Sequence, residues 1–245
     1  MQSAVVACGL LLVLPAAAMA VPPKPVADAL AMLTTGSSRL AAGWRYQQKV
    51  TSDQGSETLA YDAARPVGAR WKVLTVNGKR PSPKKARALA NKLRAAHRKG
   101  KQSGGVSPGV GNWLQASHYP LVRSTGAQLV YRIEMHVGAH DSASADKMFK
   151  HLSGRLVVAR GDHRPLELML DNFESFSPRF GVKVTRFRLQ IHFRRLGVNA
   201  PVVADRVSTV AQGKVFWVKS FKTKAQVTLS HFAPVAASAP APASH

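Results

Sequence analysis

Val182-Lys183-Val184-Thr185-Arg186-Phe187-Arg188-Leu189-Gln190-Ile191-His192-Phe193-Arg194-Arg195 is the stretch whose reading decides the fold. Phe187, Leu189, Ile191 and Phe193 alternate with Arg186, Arg188, Gln190, His192 and Arg194. Successive side chains of a strand point to opposite faces, so this run has one apolar face and one cationic face. Such alternation belongs to antiparallel pairing with one side solvated, because parallel strands are covered on both faces.

The same period recurs on either side. Leu129, Tyr131, Ile133, Met135 and Val137 share a face opposite Gln128, Arg132, Glu134 and His136. Residues 155–160 and 165–171 flank Gly161-Asp162 and read as a hairpin. Residues 202–210 and 214–221 read as another through Gln212-Gly213, and 225–232 as the strand that closes the sheet. Nearer the N-terminus, Trp44, Tyr46, Gln48 and Val50 alternate with Arg45, Gln47 and Lys49. A turn at 52–55 leads into 58–62, and 69–76 ends at Asn77-Gly78, a hairpin signal.

Two helical segments interrupt this pattern. Val26, Leu30 and Leu33 recur at helical spacing with Ala29 and Met32 alongside, predicting a helix over 26–40 that Gly36 weakens and Gly43 ends. Ser82 and Pro83 suit the N-cap and first turn of a second helix over 84–101, with Ala86, Leu89, Ala90, Leu93 and His97 as a narrow stripe. The expected fold is mainly β with α (α+β). It is a large curved antiparallel sheet, a half-barrel of about ten strands, with two helices packed on its concave side.

Residues 1–20 carry no charge, and an apolar run over 5–14 precedes Ala18-Met19-Ala20, a small-x-small site. They predict a secretory signal peptide cut after Ala20, export to the periplasm, and one domain over 21–233 with a basic helical insertion at 81–111. The Ala/Pro/Ser run 234–245 is expected to be a disordered tail. No later apolar run approaches the ~20 residues that cross a bilayer. The single cysteine, Cys8, falls inside the signal, so the mature chain is expected to have no disulfide, thiol chemistry or cysteine-bound zinc.

The formal net charge is +23. Residues 63–133 hold fifteen Lys and Arg and no acid; from 175 to the C-terminus Asp205 is the one acid against eleven bases. Such an excess attracts polyanions. Outside the cytoplasm these are lipid headgroups, lipopolysaccharide and other envelope polymers. Nucleic acid is not expected, because aromatic stacking platforms do not interleave with the bases of 84–101.

Signals for chemistry are weak. His136, His140 and Asp141 could suggest a metal, but strand residues four apart lie ~13 Å from each other, and no HExxH occurs. No Gly-x-Ser-x-Gly elbow is present, and Ser153-Gly154 and Ser230-His231 read as strand-end residues. Glu134, Glu167, Asp171 and Glu174 alternate out with the polar face, where solvated ion pairs are the usual role. No metal, cofactor or catalytic activity is expected.

Tyr61-Asp62-Ala63-Ala64-Arg65-Pro66, Arg70-Trp71-Lys72-Val73-Leu74 and Val227-Thr228-Leu229-Ser230-His231-Phe232 sit in a layout of signal, amphipathic helix, Trp-led first strand, helical insertion and antiparallel meander. Over most of 26–232 that layout resembles the outer-membrane lipoprotein-sorting (LolA/LolB/RseB-like) superfamily. The resemblance implies a half-barrel whose hollow holds acyl chains beneath helical lids. Leu129, Tyr131, Ile133, Met135, Phe187, Leu189, Ile191 and Phe193 would line that hollow. Lys84, Lys85, Arg87, Lys92, Arg94 and Arg98 would meet anionic headgroups of a membrane to which the protein binds peripherally. The leading expectation is a monomeric, non-catalytic periplasmic protein binding lipid or a lipidated protein. The alternatives are an envelope interaction or sensor protein with a fully packed sheet that binds a protein or polyanion, and thirdly a hydrolase.

Overall fold

The structure, a computed structural model, describes residues 21–98, 114–115, 117–135 and 148–235. Its strands are β1 (Trp44–Ser52), β2 (Gly55–Asp62), β3 (Trp71–Val76), β4 (Leu121–Ser124), β5 (Gln128–Glu134), β6 (Leu152–Ala159), β7 (Pro165–Asn172), β8 (Phe176–Arg179), β9 (Val182–Arg195), β10 (Val202–Val215) and β11 (Lys219–Pro234). Two helices, α1 (Lys24–Gly43) and α2 (Pro83–Arg98), accompany them. The architecture is mainly β with α, as the alternation predicts. All eleven strands join one antiparallel sheet in the order β3-β2-β1-β11-β10-β9-β7-β6-β5-β4, with β8 on β9. The sheet is open, since β3 and β4 stand at opposite ends of that order. Its last strand lies between β1 and β10, which joins the N-terminal three strands to the rest.

The deciding strand, β9, is paired on both sides. On β10, Phe187 faces Ala211, Leu189 faces Thr209, Ile191 faces Val207 and Phe193 faces Ala204. On β7, Ile191 faces Leu168 and Leu189 faces Leu170. Directly opposed residues share a face, so the apolar side of β9 continues across its neighbours.

One expected turn is misplaced. β10 runs on through Gln212-Gly213 to Val215, and the reversal falls at 216–218. The expected strands 214–221 and 225–232 are therefore the end of β10 and the single long strand β11. Gly213 has a different reason to be glycine. A Cβ there would lie 2.1 Å from the Lys183 carbonyl oxygen, so its size serves the close approach of β9.

Helix α1 buries Val26, Ala29, Leu30, Leu33, Gly36 and Leu40, one stripe at helical spacing. It touches β1, β10, β7 and β6. From β1 to β6 are five strand spacings, roughly 24 Å, and a twenty-residue helix is about 30 Å long. A helix laid across the strands therefore reaches all four. Its N-terminal half joins a large apolar cluster with Ile133, Leu156, Leu168, Leu170, Ile191 and Phe193. Leu40 joins a second with Tyr46, Tyr61, Val203 and Leu229. Tyr61 Oη donates to the Ala41 carbonyl at 2.6 Å and fixes that end. Gly36 does not break the helix; it is the contact point, where a Cβ would come within 1.9 Å of the Val202 carbonyl oxygen.

At the other end of α1, Lys24 Nζ donates to Asp28 Oδ2 at 2.8 Å, and His163 Nδ1 lies 2.7 Å from the same oxygen. Those two hydrogen bonds, Lys24 first, hold the Asp28 carboxyl below its ordinary value. Helix α2 begins as expected, with Ser82 accepting the Lys85 amide, and it lies against β3 at the sheet edge. β11 reaches Pro234, opposite Trp44, one residue into the span expected to be a tail. Residues 1–20, with the Ala20 cleavage site, and residues 99–111 and 236–245 lie outside the described residues.

Two expectations follow. Gly36→Val forces α1 off β10 and costs about 1–3 kcal/mol of overpacking strain, lowering the melting temperature by roughly 3–10 °C in thermal circular dichroism; an unchanged melt contradicts the contact. The depressed Asp28 carboxyl contributes stability above the unfolded carboxyl pKa, and loses it as pH falls through the lower folded value. Asp28→Asn should therefore flatten the acid limb of a stability-versus-pH curve while leaving its neutral-pH slope alone.

Candidate functional site

The polar side of β9 is where charge gathers. Arg186, Arg188 and His192 face Gln212, Val210 and Arg206 on β10. Those residues face Lys222, Lys224 and Thr228 on β11, and Thr228 faces Lys49 on β1. Three cross-strand rows result: Lys49-Thr228-Arg206-His192, Lys224-Val210-Arg188 and Lys222-Gln212-Arg186. With strands ~4.8 Å apart and a rise of ~3.4 Å per residue, these bases occupy a patch about 15 Å across the strands and about 20 Å along them. Lys49, Arg186, Arg188, Arg206, Lys222 and Lys224 are all exposed.

Acids do little to neutralise that patch. Arg188 Nε lies 2.5 Å from Asp171 Oδ1. Lys49, Arg186, Arg206, Lys222 and Lys224 make no ion pair among the described residues. Carboxylates elsewhere are already taken: Asp62 by Arg45 and Arg65, Glu134 by Arg132 and His118, Asp162 by Arg164 and Arg195, Asp205 by Arg194. The hydrogen bond from His118, then that from Arg132, holds the Glu134 carboxyl below the usual range. Glu167 and Asp171, expected on the polar face as solvated ion pairs, have Arg155 and Arg188 as partners.

The eight apolar residues expected to line a hollow come together on the opposite side. Tyr131, Ile133, Ile191 and Phe193 are buried members of one cluster, and Leu129, Met135, Phe187 and Leu189 pack against it. Val26, Ala29, Leu30 and Leu33 of α1 belong to the same cluster, with Leu114, Tyr119 and Phe149. Burial raises the Tyr119 phenol well above its ordinary value, and its hydroxyl donates to the Leu114 carbonyl. A cleft of about 470 Å³ opens beside α1, lined by Met32, Thr35, Arg39, Arg195, Asn199 and Pro201, outside the expected eight.

The basic helix is a separate feature. Lys84, Lys85, Arg87 and Lys92 are exposed on α2, while Ala86, Leu89, Ala90 and Leu93 are half-buried. The side chains of Arg94 and Arg98 lie outside the described residues, as do His136, His140 and Asp141. The Arg face of β9 is legible from its own alternation. The addition of Lys49, Arg206, Lys222 and Lys224 is not, because strand order depends on pairing between residues far apart in sequence, Lys49 and Thr228 being 179 positions apart.

No protein-family model matches the chain. No curated protein matches it either. Among solved structures, the chain is similar to one described as the crystal structure of MucB in complex with MucA(peri), at 13% identity, over 86% of this chain and 100% of that one, with a TM-score of 0.21. At that score the likeness bears on neither fold nor function.

Proposed function

We propose that the chain is an exported, non-catalytic envelope protein that binds a polyanionic partner through the cationic face of a packed sheet. The observation that carries this reading is the patch built by Lys49, Arg186, Arg206, Lys222 and Lys224, five exposed bases whose side chains make no ion pair among the described residues, although the Lys224 amide donates to Asp53 at 2.8 Å. Hydrogen-bonded strands fix the spacing of these bases, so ordering them on a partner costs less than ordering the same charges on a loose chain. Repeated phosphate or carboxylate groups along a polymer can engage several rows at once. No bond in the partner is made or broken. The bases of α2 extend the positive field at the β3 edge. Export follows from the leader at 1–20, and the layout shared with the lipoprotein-sorting superfamily fits an envelope location.

Attraction of this kind is screened by salt over a Debye length of ~8 Å at physiological ionic strength. Binding of the mature protein to fluorescently labelled polyphosphate, followed by anisotropy, should weaken steeply as salt rises. Replacing Lys49, Arg186, Arg206, Lys222 and Lys224 together by Gln should weaken it at least tenfold, at roughly 0.3–1 kcal/mol per exposed contact. The melting temperature should change little. Replacing Lys84, Lys85, Arg87 and Lys92 instead should cost less. Salt-insensitive binding, or binding untouched by the sheet substitutions, would overturn the proposal.

A further inference from the structure

The β8–β9 and β10–β11 turns meet at one end of the sheet, and together they expose an aromatic cluster. Phe180 is 86% exposed, Phe216 59%, Trp217 66% and Val218 89%. The rings touch one another rather than the core: Phe180 to Phe216 is 6.4 Å between centroids and Phe180 to Trp217 is 6.2 Å, both edge to face. The two turns are joined by a hydrogen bond from the Phe216 amide to the Gly181 carbonyl at 2.6 Å. A side chain at Gly181, which has φ +76°, would strike the Phe216 ring.

This tip is locally unfavourable twice over. Large apolar side chains stand in water, where no core rewards them. Phe216 and Trp217 also hold positive φ, 48° and 60°, and the Val218 amide returns to the Val215 carbonyl. A β-turn with positive φ at both central positions is ordinarily Asn-Gly, because bulky side chains are strained there. Strain of this kind, kept at a place where it adds nothing to packing, points to use.

Charge around the tip identifies the user. Arg179, Lys183, Lys214 and Lys219 flank the four apolar residues and are exposed. Lys183 pairs across the ladder with Lys214, so like charges stand side by side. Exposed Phe and Trp ringed by bases match a bilayer interface with anionic headgroups. Apolar rings enter the headgroup–acyl boundary, the indole sits at the interface, and lysines meet phosphates. A protein partner of acidic surface would satisfy the bases but gives no reason for three aromatics at the furthest point of a hairpin. No helix among the described residues is long and apolar enough to cross a membrane.

We infer that Phe180, Phe216, Trp217 and Val218 form a membrane-docking tip that inserts its rings into an anionic lipid surface, with Arg179, Lys183, Lys214 and Lys219 engaging the headgroups. The tip is distinct from the Lys49–Arg206–Lys224 patch, and it stands or falls separately from polyanion binding.

Flotation of the mature protein with vesicles containing one third phosphatidylglycerol tests this inference. Wild type should float, and more weakly with phosphatidylcholine alone. Phe180→Ser, Phe216→Ser and Trp217→Ser should each reduce binding roughly tenfold, as the lost burial of one ring requires, with the polyphosphate affinity unchanged. Phe216→Asn with Trp217→Gly relieves the turn strain, so it should raise the melting temperature while still abolishing flotation. That separates docking from folding. Lipids brominated near the headgroup should quench fluorescence in wild type and not in Trp217→Phe. Flotation unaffected by the tip variants, absence of Trp217 quenching, or self-association of the tip without vesicle binding would each overturn the inference.

Discussion

The fold depends on one close approach: the backbone of α1 at Gly36 against the Val202 carbonyl of β10, with no Cβ between them. A side chain at that point would hold the helix away from the strands. Leu30, Leu33 and Leu40 on either side of it would then lose the depth at which they meet the sheet. Burying each such side chain contributes roughly 1.5–3 kcal/mol, so the helix is held by its stripe and positioned by its glycine. Tyr61 at the C-terminal end and Asp28 with His163 at the N-terminal end fix where along the strands that contact falls.

With α1 in place, the two faces of the sheet have different roles. The apolar face is occupied by folding: Tyr131, Ile133, Ile191 and Phe193 pack with the helix. In the proposed reading, binding falls to the polar face and the turns. The net charge of +23 is not spread as a uniform coat. Carboxylates of β2, β5, β7 and the β6–β7 turn hold their own arginines, whereas β9, β10 and β11 contribute bases with few acids among them. The strands that follow Ser175 carry eleven bases and one acid, Asp205, so their exposed bases have few carboxylates to meet.

Much of this was legible in the sequence. Alternation in 182–195 specified a half-solvated antiparallel strand, and Val26-Leu30-Leu33 specified which side of α1 is buried, because both periods follow from backbone geometry. Glycine was misread twice. At Gly36 and Gly213 it permits two backbones to approach, whereas local reasoning took it as a helix weakener and a turn. The distinction lies in the distant chain, Val202 for one and Lys183 for the other. The true turn at 216–218 was hidden because Phe-Trp-Val carries none of the residues that turns ordinarily use. The cationic patch was half visible: each strand shows its own polar face, but Lys49 meets Arg206 through β11, and only pairing reveals it.

The central claim is that the protein binds through its cationic face and not by holding an acyl chain against the apolar cluster that packs with α1. Native mass spectrometry of the mature protein, purified without detergent and analysed for bound lipid, tests it most directly. A mass equal to that of the bare polypeptide, with no lipid released on denaturation, is the result expected. One acyl lipid per chain, retained through purification and lost when Phe187, Leu189 or Ile191 is replaced, would contradict it.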